Sequence, residues 1–100
     1  MGIFSSLFGK GPDFSALIAA GATIVDVRSP AEFSGGHIEG ALNIPLGEVP
    51  ENMADLKKLG TPVIVCCASG MRSGRAKRML KAEGIEVYNG GGWTSLRRHV

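Results

Sequence analysis

A thiol, a guanidinium and a hydroxyl stand close together in Cys67-Ala68-Ser69-Gly70-Met71-Arg72-Ser73. Free cysteine titrates near ~8.5, and thiols at helix N-termini or beside arginine fall to roughly 3.5–7.5. The backbone N–H groups of a tight loop that leads into a helix converge on one point, where the helix dipole favours negative charge. A thiol held at that point ionises easily. The stretch therefore reads as a loop that holds a thiolate on Cys67 and then an anionic adduct on that thiolate. Arg72 serves it as an anion clamp or as a staple for the loop carbonyls. Ser73 fits an N-cap for the helix that follows, and Gly70 gives the backbone room to turn.

Such a loop needs a strand before it and a helix after it. Pro62-Val63-Ile64-Val65-Cys66 is short, β-branched and without polar alternation, the pattern of a buried strand in a parallel sheet. From Ser73 to Glu83, Ala76, Met79 and Leu80 stand at helical spacing and Gly84 ends the run. Earlier, Asp13 precedes a short helical stripe of Phe14, Leu17 and Ile18 that stops at Gly21, and 23–27 is an apolar strand. Ser29-Pro30-Ala31-Glu32 combines an N-cap, a first-turn proline and a capping-box glutamate, so a short helix starts there and ends at Gly35 and Gly36. A brief strand over 41–43 and a helix striped by Val49, Met53, Leu56 and Leu59 follow. A last strand over 85–88, a glycine-rich turn and a helical stretch over 93–98 close the chain. Strands alternating with helical runs predict an α/β fold with a central parallel sheet and helices on both faces. In such sheets ligands bind outside the carboxyl ends of the strands, which is where Cys67 falls.

Cys67-x4-Arg72-Ser73 after a Val/Ile strand resembles the active-site loop of the rhodanese-like sulfurtransferases. Asp26-Val27-Arg28-Ser29-Pro30-Ala31-Glu32-Phe33 and Gly36-His37-Ile38-Glu39-Gly40-Ala41-Leu42-Asn43-Ile44-Pro45 are similar to the two motifs that precede that loop in the family, and Tyr88-Asn89-Gly90-Gly91-Gly92-Trp93 resembles its closing segment. The likeness runs from about Phe14 to Leu96 with the motifs in order. It implies a three-layer sandwich around a sheet of four to five strands, the extra edge strand reduced here to a stub around 10–12. It also implies an enzyme that carries sulfane sulfur on Cys67, with Ala68, Ser69, Gly70, Met71, Arg72 and Ser73 binding the persulfide. Asp26 and Arg28 would lie near the substrate entrance. The donor would be thiosulfate, another small sulfur-containing anion or a persulfide, and the acceptor cyanide, a thiol, or a thioredoxin-like or other sulfur-carrier protein. Ala68 departs from relatives with a charged residue in the loop, which favours a persulfide over thiosulfate.

Two other readings attach to the same residues. Counted from Cys66, Cys66-x5-Arg72 has the spacing of cysteine-dependent phosphatases and arsenate reductases. Against it, Val65 stands where a histidine is wanted, and no obvious aspartate is placed to protonate a leaving oxygen. A non-catalytic rhodanese-like interaction module is the third reading, and an intact loop around Cys67 argues against it.

Composition bounds the remainder. One hundred residues, 44% of them hydrophobic, suit one domain that buries a core without disulfides or metal, and no cofactor is expected. A net charge of +2 gives no case for nucleic acid. Adjacent cysteines cannot staple distant segments and a vicinal disulfide would be strained, so the thiols are expected reduced, in the cytoplasm. His37 stands without a second ligand at metal spacing and reads as a hydrogen-bonded structural residue. Residues 1–12 read as an N-terminal arm and 13–100 as the rhodanese-like domain, expected to be monomeric and away from membranes. Ile3, Phe4, Leu7 and Phe8 are interrupted by Ser5, Ser6 and Gly9, so neither a signal peptide nor a transmembrane helix is expected. Met1-Gly2-x-x-x-Ser6 formally fits a myristoylation pattern, with a frayed or docking arm as the plainer reading. Arg75, Lys77, Arg78 and Lys81 form a basic run after the loop, either a solvated face or a means of steering an acidic partner.

Overall fold

The structure, a computed structural model, describes residues 11–100. Among these, β1 (Thr23–Asp26), β2 (Leu42–Asn43), β3 (Val63–Cys67) and β4 (Val87–Gly92) form one parallel sheet in the order β2-β1-β3-β4. Helices α1 (Phe14–Ala19), α2 (Pro30–Ser34), α3 (Val49–Leu59), α4 (Met71–Ala82) and α5 (Trp93–Leu96) connect and flank the strands. Short 3₁₀ turns precede α3 at Leu46–Glu48 and follow α5 at Arg97–His99.

Side chains alternate along a strand, and that alternation makes the two halves of the core. Val25, Val63, Val65 and Cys67 face one side, where they pack with Leu56 of α3 and Ala76 and Leu80 of α4. Ile24, Ile64 and Cys66 face the other, where Phe14, Leu17 and Ile18 of α1 and Leu96 of α5 cover them. The result is the expected three-layer α/β sandwich. No helix among the described residues is long and apolar enough to cross a membrane.

Local chemistry sets most of the boundaries. Asp13 caps α1 by accepting from the N–H of Ala16 at 3.0 Å. Ser29 and Glu32 form the reciprocal capping box of α2, with Pro30 in its first turn. Gly60, at φ +66°, ends α3.

Several boundaries differ from the sequence reading, among them those around the site. Cys67 is the last residue of β3, not the first of the loop, and all five β3 residues are buried. Helix α4 begins at Met71 with Gly70 as its N-cap at φ +101°, so Ser73 lies in the first turn and does not cap it. The last strand runs through Val87–Gly92 and takes in the glycines expected to form a turn, because they pair with Cys66 and Cys67. Gly90 is the extra residue of a bulge there, since Val65 pairs with Asn89 and Cys66 with Gly91. Gly11 and Pro12 are not in a strand, so no edge stub forms at them. Lys10, and the readings made for the arm over residues 1–10, lie outside the described residues.

Candidate active site

The carboxyl ends of β3 and β4 pair beside one sulfur, with Cys67 opposite Gly92. Because β3 runs through Cys67, the chain must reverse within Ala68, Ser69 and Gly70 before α4 starts. That reversal wraps N–H groups around Cys67 Sγ. Gly70 N donates to it at 2.9 Å and Ser73 N lies at 3.4 Å, with Ser73 Oγ also at 3.4 Å. Only glycine suits position 70 with ease, given φ +101° and a would-be Cβ 3.3 Å from Gly91 Cα.

These donors decide the charge state. Burial alone pushes the Cys67 thiol up. Bonds from the Ser73 hydroxyl and from the N–H groups of Ser73, Gly70 and Ser69 outweigh it, leaving the thiol below the ordinary cysteine range. Cys66, one residue earlier, lies on the opposite face of the sheet among Ile24, Ile38, Ile64 and Leu96. Burial pushes its thiol up to about 12, the Asp26 carboxylate adding to this and Arg28 opposing it. Two adjacent thiols thus have opposite tendencies, set by the alternation of one strand. Cys66 does not face the 68–73 loop, which removes the geometric basis of the phosphatase spacing.

Asn89, quoted above only as part of a motif, is the residue that holds the loop in place. It follows Val87 by two in β4 and so points to the α4 side. Its Oδ1 accepts from Ser73 Oγ at 2.7 Å and from Gly91 N at 2.9 Å, and its Nδ2 donates to the Gly70 carbonyl at 3.1 Å. The loop's one glycine and its last serine therefore hang on one amide. Gly92 closes the floor, because a Cβ there would stand 2.9 Å from the Ala68 carbonyl oxygen. Period-two reading continued past Tyr88 would have brought Asn89 out.

Arg72 points elsewhere than either sequence reading had it. Its Nη1 and Nη2 donate to the two carboxylate oxygens of Glu32 at 2.8 and 2.9 Å. This pairing, with the Ser29 bonds of the capping box, holds the Glu32 carboxyl down to about 2. Ala68, Ser69 and Met71 are exposed at the mouth of the loop, Met71 at 79%.

Asp26 and Arg28 do not line an open entrance. Asp26 is fully buried and Arg28 is 4% exposed. Asp26 takes Arg28 Nη2 at 2.7 Å, Nε at 3.0 Å to each oxygen, and the Arg28 N–H at 3.0 Å. The remaining guanidinium donors reach the carbonyls of Glu32 and Gly36 at 3.2 and 2.8 Å, and the group lies 4.7 Å from the Trp93 ring centroid. Arg28 thus ties the end of β1 to α2 and to the turn after it, and both members of the ion pair are out of water. His37 hydrogen-bonds the Phe33 carbonyl at 2.8 Å and stacks on the Phe33 ring, the structural place read for it.

Residues 12–98 match the family model of the rhodanese-like domain. This chain belongs to the rhodanese-like family. The uncharacterized protein YqhL of Bacillus subtilis is 44% identical over 69 residues, which are 68% of this chain and 54% of that protein, so the chain spans about half of that relative. The thiosulfate sulfurtransferase PspE of Escherichia coli is 40% identical over 81 residues, 79% of this chain and 78% of that one. Among solved structures, a rhodanese with anions from E. coli superposes with a TM-score of 0.66 at 37% identity, covering 74% of this chain and 89% of that one. Within this rhodanese-like domain, the Cys67 loop occupies the segment that the sequence reading assigned to the family's active site.

Proposed function

We propose that this rhodanese-like protein is a sulfurtransferase that carries sulfane sulfur as a persulfide on Cys67. The observation that carries the reading is the convergence of the Gly70 and Ser73 N–H groups on Cys67 Sγ, in a loop whose glycine and serine are fixed by Asn89. In the first half-reaction the Cys67 thiolate attacks the outer sulfur of thiosulfate or of a persulfide. A new S–S bond forms, the donor's S–S bond breaks, and its electron pair leaves with sulfite or a thiolate. Covalent catalysis divides one transfer into two steps. The negative charge then sits on the outer sulfur, within reach of the preorganised N–H donors from Ala68 to Ser73. In the second half-reaction a thiol or cyanide takes that sulfur and the Cys67 thiolate returns. A thiolate already formed needs no general base.

Donor preference follows from the loop's charge. Ala68 carries none and Arg72 is neutralised by Glu32, so a persulfide suits the site better than dianionic thiosulfate. A thioredoxin-like or other sulfur-carrier protein would serve as acceptor, in a reducing cytoplasm that keeps both thiols free. The test is intact mass after incubation with thiosulfate or glutathione persulfide and then with cyanide. One extra sulfur that requires Cys67, survives Cys66→Ser and leaves with cyanide is the expected result. A sulfur that requires Cys66 would overturn the assignment.

A further inference from the structure

Charge is segregated on one helix. Five of the chain's eleven Lys and Arg residues lie in α4, at Arg72, Arg75, Lys77, Arg78 and Lys81, and none of its nine Asp and Glu residues does. Ser73, Ala76 and Leu80 are the buried residues of α4 and define its inward side. At 3.6 residues per turn the outward ridge is Met71, Arg75 and Arg78, and all three are exposed. Met71 is the most exposed large hydrophobic side chain among the described residues, and it stands where the Cys67 loop enters the helix. Arg75 and Arg78 take part in none of the ion pairs among the described residues, whereas Arg72 is turned aside to Glu32. An apolar contact thus lies beside the sulfur, and two free guanidiniums follow it along about 10 Å of helix at ~1.5 Å per residue.

We propose that the Met71-Arg75-Arg78 ridge docks the protein that takes the sulfur: an acceptor with a reactive thiol, an apolar side chain next to it and carboxylates beyond. This rests on the sulfurtransferase reading above and names its partner's chemistry. Free cations on one face steer an acidic surface and set its register. An exposed methionine adds an adaptable apolar contact. A phosphate backbone gains nothing from that methionine, which favours a protein over a nucleic acid. In the docked pair the acceptor's thiol loses its proton to solvent and its sulfur attacks the outer sulfur of the Cys67 persulfide. A new S–S bond forms on the acceptor, the Cys67 S–S bond breaks, and the electron pair returns to Cys67 Sγ beneath the Gly70 and Ser73 N–H groups. Sulfane sulfur moves with no net oxidation.

The experiment loads Cys67 with glutathione persulfide, verifies the adduct by mass, and follows transfer to three acceptors. Two are synthetic peptide thiols of equal length, each with leucine beside its cysteine, one bearing a block of glutamates and the other glutamines. The third is dithiothreitol. The glutamate peptide should react about tenfold faster than the glutamine peptide at low ionic strength, the advantage shrinking as salt rises. Arg75→Glu with Arg78→Glu should abolish or invert that preference and leave the dithiothreitol rate within about twofold. Equal peptide rates on the wild type would overturn the docking surface, as would a double variant that loses peptide and dithiothreitol transfer alike. Suppression of glutamate-peptide transfer by a single-stranded oligonucleotide at concentrations below the peptide's would replace the protein partner with a nucleic acid. A wild type that never acquires the adduct would remove the sulfurtransferase reading itself and the docking inference with it. An adduct without charge preference removes the docking inference alone.

Discussion

The Ser73 hydroxyl donates to Asn89 Oδ1 at 2.7 Å while its oxygen stays 3.4 Å from Cys67 Sγ. A hydroxyl has one hydrogen, so it cannot serve Asn89 and a thiolate together. With Cys67 protonated, the thiol donates to Ser73 and Ser73 donates to Asn89. Once Cys67 ionises, the Ser73 hydrogen can turn to the sulfur, and Asn89 Oδ1 keeps the Gly91 N–H at 2.9 Å. The charge on Cys67 is thereby coupled to the rotation of one hydroxyl, with Asn89 as the other pole.

Ser73→Ala should therefore raise the Cys67 titration towards the free-cysteine value near ~8.5, without changing the alkylation rate once the thiol is fully ionised. Asn89→Asp should raise it as well, because a carboxylate holds the Ser73 hydrogen more firmly and adds negative charge near the sulfur. The pH profile of iodoacetamide alkylation reads both. A midpoint that stays at the wild-type value in Ser73→Ala would show that the hydroxyl does not stabilise the thiolate.

The two cysteines should separate cleanly. Cys66 is buried and pushed up to about 12, while Cys67 is held below the ordinary range. Alkylation of the folded protein at neutral pH should stop after one label, on Cys67, with the second appearing only on unfolding. Cys66→Ser should keep persulfide loading within about twofold, and Cys67→Ser should abolish it. Peptide mapping of the singly labelled protein decides which thiol reacted.

Hydrophobic pattern and caps were enough to read the parallel sheet and the order of its helices, since apolar runs alternate with capped helical stripes along the chain. The end of β4 was hidden for a physical reason. Gly90, Gly91 and Gly92 have no side chains to display a period, so a strand read there as a turn and Asn89 fell outside the site. The Glu32–Arg72 pair spans forty positions, and no local spacing could announce it. Ser73 looked like a cap because glycine at Gly70 leaves no side chain to compete for that role, whereas its left-handed φ is what starts the helix. Asp26 and Arg28 share a strand end by spacing, but only burial shows that their charges are spent on each other.

That buried pair should matter to stability far more than to sulfur transfer chemistry. Removing one partner leaves the other charged and out of water, which costs about 3–5 kcal/mol. Arg28→Met would strand Asp26 and release the Glu32 and Gly36 carbonyls and the Trp93 ring. Urea unfolding should show a loss of that order in Arg28→Met and Asp26→Asn. Persulfide loading of whatever fraction remains folded should stay near wild type. A fully stable Arg28→Met that failed to load would instead return Arg28 to substrate binding.

Glu32 sets how much positive charge the loop offers to a donor. Its carboxylate occupies both terminal nitrogens of Arg72, and Ala68 supplies no second cation. Glu32→Gln keeps a similar shape but frees the guanidinium, so thiosulfate should become a better donor by several-fold relative to glutathione persulfide. The carboxyl is depressed to about 2, so the latch's contribution to stability is complete above the ordinary glutamate value near ~4.3 and is lost only as pH falls through about 2. The wild-type latch is thus closed from mildly acidic to alkaline pH, and the advantage of Glu32→Gln over the wild type in the ratio of the two donor rates should stay constant across that range. Initial rates with both donors test this. An equal change for thiosulfate and the persulfide would mean that Glu32 acts through the shape of α2 and not through the charge of Arg72.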